Sequence, residues 1–92
     1  MSVVIVGGNE RMNRQYIDLC KSYKCKAKVF MKGSNGIKGM GVPDLLVLFT
    51  STVSHKMVHN ALNGVKGQET IVARSHTSSM SALKKILDEY AA

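Results

Sequence analysis

Leu45-Leu46-Val47-Leu48-Phe49 is an unbroken run of five large apolar residues. A run of that length, with polar residues on either side, predicts a strand buried on both faces, the kind that sits centrally in a parallel sheet covered by helices. Working outward, Ser2-Val3-Val4-Ile5-Val6 has the same β-branched character and ends in Gly7-Gly8, which predicts a first buried strand and a tight turn. Between the two lies Lys26-Ala27-Lys28-Val29-Phe30-Met31, whose lysines alternate with apolar residues. That pattern predicts a half-exposed strand at an edge. Glu69-Thr70-Ile71-Val72-Ala73 reads as a fourth strand.

The segments between strands have helical periodicity. Asn9 is placed to cap a helix running to about Tyr23, with Met12, Tyr16, Leu19, Cys20 and Tyr23 on one face. A second helix runs from about Ser54 to Asn63 and is stopped by Gly64 and Gly67; its stripe is Met57, Val58, Ala61, Leu62 and Val65. The last runs to about Tyr90, with Met80, Leu83, Ile86, Leu87 and Tyr90 inward. The exception is Lys32 to Asp44, which holds Gly33, Gly36, Gly39, Gly41 and Pro43 and predicts a Gly-rich loop.

Strands alternating with crossovers give an α/β domain with a four-stranded, mostly parallel sheet. Right-handed crossovers suit the order 2-1-3-4, a small Rossmann- or flavodoxin-like architecture of two or three layers. The whole chain, 1–92, is expected to be one domain. Its apolar fraction of 45% and single proline exclude a disordered chain. The apolar runs are too short to span a bilayer. The first residues carry no Lys or Arg, so no export signal is expected; a cytoplasmic setting then leaves Cys20 and Cys25 as free thiols.

In such a sheet ligands sit beyond the carboxyl ends of the strands, where the winding reverses, here between strands one and three. Three loops are expected there or beside it: Gly7-Gly8-Asn9-Glu10-Arg11, Thr50-Ser51-Thr52-Val53-Ser54-His55 and Arg74-Ser75-His76-Thr77-Ser78-Ser79. The first lacks the third glycine of a dinucleotide fingerprint, and no acid follows the second strand to hold a ribose. Its two glycines serve either a close approach of main chain to ligand or a tight turn. His55 and His59 are four apart on one flank of their helix, without the glutamate of a zinc protease motif. His55 opens the helix at the mouth of the site; neutral imidazole ligates zinc, iron and haem iron. Arg74 offers a fork for carboxylate or phosphate, and the hydroxyls after it cap the last helix. Cys20 falls in an apolar stripe, as a structural thiol would. Glu10 is the only acid near the site, which argues against an enzyme.

Gly7-Gly8-Asn9-Glu10-Arg11 with Tyr16, the Ser54-His55 helix start and the Arg74-Ser75 loop before a closing amphipathic helix resemble a small bacterial domain family of uncharacterised function, sometimes described as the small Cys- and His-containing domain family. The resemblance covers nearly the whole chain, though many relatives continue Ser-His with Asn where Lys56 stands here. It implies a small α/β domain with no established enzyme activity, and haem binding for some members.

Together with what the resemblance implies, these readings give a haem-binding sensor, carrier or buffer as the expected function, with His55 as an axial ligand and the second axial position open to His76, a Cys, a Met, water or a main-chain atom. Gly7, Gly8, Asn9, Arg11, Thr52, Ser54, Arg74 and Ser75 complete the expected ligand site. The alternative is a basic regulatory module binding nucleic acid or another anion, since 13 basic residues against 6 acidic leave +7. With no tryptophan and few aromatics, nucleic-acid binding is expected to be weak and non-specific. A homodimer is also expected, because the Gly-rich loop covers less apolar surface than a helix would; exchange of the first strand and helix between chains is an extension of that idea.

Overall fold

Four strands lie in the order β2-β1-β3-β4, every pairing parallel. They are β1 (Ser2–Val6), β2 (Lys26–Phe30), β3 (Leu45–Phe49) and β4 (Ile71–Ser75). Three helices accompany them: α1 (Asn13–Ser22), α2 (His55–Gly64) and α3 (Met80–Tyr90). The computed structural model describes residues 1–30 and 41–91. Most of the Lys32–Pro43 loop, on which the expected dimer and strand exchange rest, lies outside the described residues.

Side chains of a strand alternate between faces, and the two cores follow that alternation. Val3 and Ile5 of β1 join Leu45, Val47, Phe49 and Ala73 on one face, under Tyr16 and Cys20 of α1 and Leu83, Ile86 and Leu87 of α3. Val4, Val6, Leu46 and Leu48 face the other way, against Met57, Ala61 and Val65 around α2. The domain is therefore three-layered. Each helical stripe read from the sequence enters the core it predicts. All five residues of β3 are fully buried, as a strand with helices on both sides must be.

Two boundaries differ from the sequence reading. Asn9 caps a short 3-10 turn, Glu10–Met12, and α1 begins only at Asn13. β4 starts and ends two residues later than expected, so Arg74 and Ser75 belong to the strand and not to the loop after it. The reason is register: Ile71 pairs with Leu45, and Ser75 with Phe49. The fully apolar β3 sets the length of its neighbour.

The end of α1 explains both cysteines. Lys24 takes the left-handed conformation, φ +60°. The Cys25 N–H donates to the Cys20 carbonyl at 2.9 Å, and the Lys24 N–H to that of Lys21, also at 2.9 Å. This is the Schellman pattern, in which the residues at the two ends of the longer bond are the ones that make an apolar contact. Those residues are Cys20 and Cys25, both buried and both free thiols. Burial, with Cys25 adding to it, pushes the Cys20 thiol up to about 11. At the surface, the Tyr23 hydroxyl donates to Asp88 Oδ1 and Lys84 Nζ to Asp88 Oδ2, which ties α1 to α3. Those donors, Tyr23 first, hold the Asp88 carboxyl below its ordinary value.

Candidate functional site

The turn after β1 runs through two left-handed glycines, Gly7 at φ +94° and Gly8 at φ +101°. Space as well as backbone requires them. A Cβ on Gly7 would lie 2.6 Å from Val53 Cγ1 and 2.7 Å from Thr52 Oγ1, and one on Gly8 would lie 2.7 Å from Tyr16 Cε2. The Gly7 N–H continues the sheet by donating to the Phe30 carbonyl at 2.8 Å. Asn9 then turns the chain: its Oδ1 accepts from the Arg11 N–H at 3.0 Å.

The turn after β3 is built against it. Residues Thr50–Thr52 form a 3-10 turn. The Thr52 hydroxyl accepts from the Gly8 N–H at 2.7 Å and donates to the Phe49 carbonyl at 3.0 Å. One side chain thus fastens the end of β1 to the end of β3. Ser54 caps α2, its Oγ accepting from the Met57 N–H at 3.2 Å. Between the two turns lies a groove of about 580 Å³, lined by residues 8–11 and 51–54. It sits beyond the carboxyl ends of β1 and β3, the point where the strand order reverses.

Five of the expected ligand residues line it: Gly8, Asn9, Arg11, Thr52 and Ser54. Gly7 is buried beneath the turn. His55 is exposed in the first turn of α2, one residue past the lining. His59 is exposed a turn further on. Arg74 and Ser75 at the end of β4, and exposed His76 after them, are not part of the lining. The third loop is nevertheless joined to the first. Tyr16, fully buried, donates its hydroxyl proton to the Ser78 carbonyl at 2.5 Å and accepts from the Asn9 N–H at 3.2 Å.

The groups of the groove divide by what they already bond. Gly8 N–H and the Thr52 hydroxyl satisfy each other and build the wall. Arg11 and Glu10 are exposed, and among the described residues the ion pairs are Arg14–Asp18 and Lys84–Asp88. The Ser54 oxygen accepts from Met57, which leaves its hydroxyl proton to donate outward. Beside it the first turn of α2 has free N–H groups and the positive end of a helix dipole. The groove therefore offers one carboxylate, Glu10, and a preponderance of donors, set in a lining whose surface is more apolar than polar. Sequence reasoning puts the loop that holds Ser51 and Val53 at the site without singling the two out as ligand residues; the signal is their position in the turn after β3. Nor did it find the hydroxyl bridge of Tyr16, because an apolar stripe hides a polar tip.

No curated protein and no solved structure matches the chain. A family model described as an uncharacterised protein conserved in bacteria matches residues 2–90. With that span matched, the chain belongs to this uncharacterised conserved bacterial family, DUF2325.

Proposed function

We propose that the protein is a binding module, not a catalyst, for an anionic ligand in the groove between the turns after β1 and β3, and that the ligand is haem. The observation that supports this is the pairing, at the reversal point, of Arg11 with the donor-rich start of α2 on one groove. A guanidinium fork and helix N–H groups suit carboxylates, and haem carries two as propionates. The donor chemistry also fits the iron: the exposed His55 imidazole follows Ser54 of the lining directly, and a single histidine is a common axial ligand. Bound haem would supply an iron centre for sensing, transport or storage. His76, exposed after β4 and outside the lining, is the second histidine we propose to test as a ligand. The donors of the lining suit the charged edge of the ligand, and the larger apolar share of its surface, Val53 included, suits the ring.

Absorbance titration with haemin tests this. A stoichiometric Soret band is expected, strongly weakened in His55→Ala, weakened less in His76→Ala and least in His59→Ala, with circular dichroism unchanged. An unchanged Soret maximum and affinity in His55→Ala contradict the ligand assignment.

A second reading draws on one feature. Lys21, Lys24, Lys26 and Lys28 are all exposed around the start and edge of β2. Such a strip suits weak phosphate-backbone contact that falls steeply with salt. Tight, sequence-specific nucleic-acid binding at physiological salt would rank this reading above haem.

A further inference from the structure

The sheet has two edges, and they differ in character. At the β2 edge Lys26 and Lys28 are exposed. Lysines on an edge strand are a standard guard against pairing with another chain. β4 carries a single charge, Arg74, near its end. It has five regular residues, Ile71–Ser75, without lysine, proline or a bulge. Its first residue, Ile71, is 41% exposed, one of the few large apolar side chains of the described residues that face water. Among those residues, no strand pairs with its outer side.

The register states which groups that edge presents. The Ile71 N–H donates to the Asp44 carbonyl at 3.0 Å. In a parallel ladder the residues that bond one neighbour alternate with those that point away. Ile71, Ala73 and Ser75 are turned to β3, so Val72 and Arg74 present their N–H and C=O groups outward, with Thr70 continuing the alternation. The ends of the segment carry opposite charge: Glu69 precedes the strand and Arg74 lies near its end, both exposed.

We infer that β4 is the site of a homodimer, two copies meeting antiparallel about a two-fold axis normal to the sheet and centred on Val72. In this register Val72 faces the Val72 of the second copy, and Arg74 faces its Thr70. About six main-chain hydrogen bonds form from groups that otherwise face water. On the face covered by α1 and α3, Ile71 lies opposite Ala73 of the second copy. The antiparallel sense brings the acidic end of each strand to the basic end of the other; a parallel addition would set like charges together. The same operation at β2 opposes lysines. Selection of β4 thus follows from charge as well as from exposure. The result is a continuous eight-stranded sheet, order 2-1-3-4-4-3-1-2. It leaves the groove between the turns after β1 and β3 unobstructed, so dimerisation stands or falls separately from ligand binding.

Sedimentation equilibrium from micromolar to hundred-micromolar chain concentration tests the inference. The wild-type chain is expected at twice its monomer mass over this range. Ile71→Lys, with circular dichroism to verify its fold, is expected to dissociate at least about tenfold more readily, since a charge is then set in the interface twice. Hydrogen exchange of the wild type needs no variant. The Val72 and Arg74 amides should become protected as concentration rises, while the amides of β2 do not change. A monomer throughout, or a dimer whose Val72 and Arg74 amides exchange at the same rate at all concentrations, overturns the β4 interface.

Discussion

Tyr16 donates its hydroxyl proton to the main-chain carbonyl of Ser78, 62 residues away in sequence, at 2.5 Å. The same oxygen accepts from the Asn9 N–H, and the ring packs 5.5 Å from that of Phe49, centroid to centroid. One buried side chain thereby holds the turn after β1, the end of β3 and the loop before α3. Tyr16→Phe keeps the ring and deletes both bonds, leaving the Ser78 carbonyl and the Asn9 N–H without this partner. A loss of about 1–3 kcal/mol is expected in urea denaturation. Tyr23→Phe removes an exposed bond and should cost less. Equal losses in the two variants would remove the special place given to Tyr16.

Gly8 packs against that same ring. Gly8→Ala needs a left-handed backbone and sets a methyl 2.7 Å from Tyr16 Cε2, so the ring must shift. We expect a cost of about 2 kcal/mol or more. Gly67→Ala has the same backbone problem, φ +80°, but nothing lies within 4 Å of its Cβ. Its cost should be nearer about 1 kcal/mol. Chemical denaturation of the pair separates crowding from conformation. Equal costs would show that the contact with Tyr16 relaxes freely.

The Cys20 thiol predicts a pH dependence. Its proton is held up to about 11 in the folded chain, so the unfolded chain releases it first. The stabilisation is therefore complete below the ordinary thiol range near 9.0 and is lost as pH rises toward about 11. Denaturation midpoints of the wild type should fall more steeply over this window than those of Cys20→Ala. Parallel curves would deny Cys20 that role. At neutral pH, Cys20→Ser should cost about 1–3 kcal/mol, because a hydroxyl replaces a thiol in apolar packing.

The strand order and both cores were legible in the sequence because they rest on periodicity. Leu45 to Phe49 is the best candidate in the chain for a strand buried on both faces, and the stripes of α1, α2 and α3 each fill a core. The ends of elements were less legible. Nothing within Glu69-Thr70-Ile71 marks where β4 begins; pairing of Ile71 with Leu45 decides it. The site was legible as a place, since topology alone locates the reversal point. Its division of labour was not. The sequence marks Thr52 as a ligand group, yet its hydroxyl is already bonded to Gly8 and Phe49. Gly7 and Gly8 suit either a ligand or a tight turn by sequence, and the packing of Val53, Thr52 and Tyr16 supports the turn. Such choices depend on contacts between residues far apart in the chain, which local pattern does not encode.

The measurement that bears most directly on the groove is an amide correlation spectrum of labelled protein, recorded as haemin is added in small steps. The paramagnetic iron broadens nearby amide signals before it affects distant ones. The account predicts early loss confined to residues 8–11, 51–56 and 75–77, with the β2 edge unaffected. Uniform broadening, loss centred on Lys24 to Lys28, or no loss at stoichiometric haemin would contradict it.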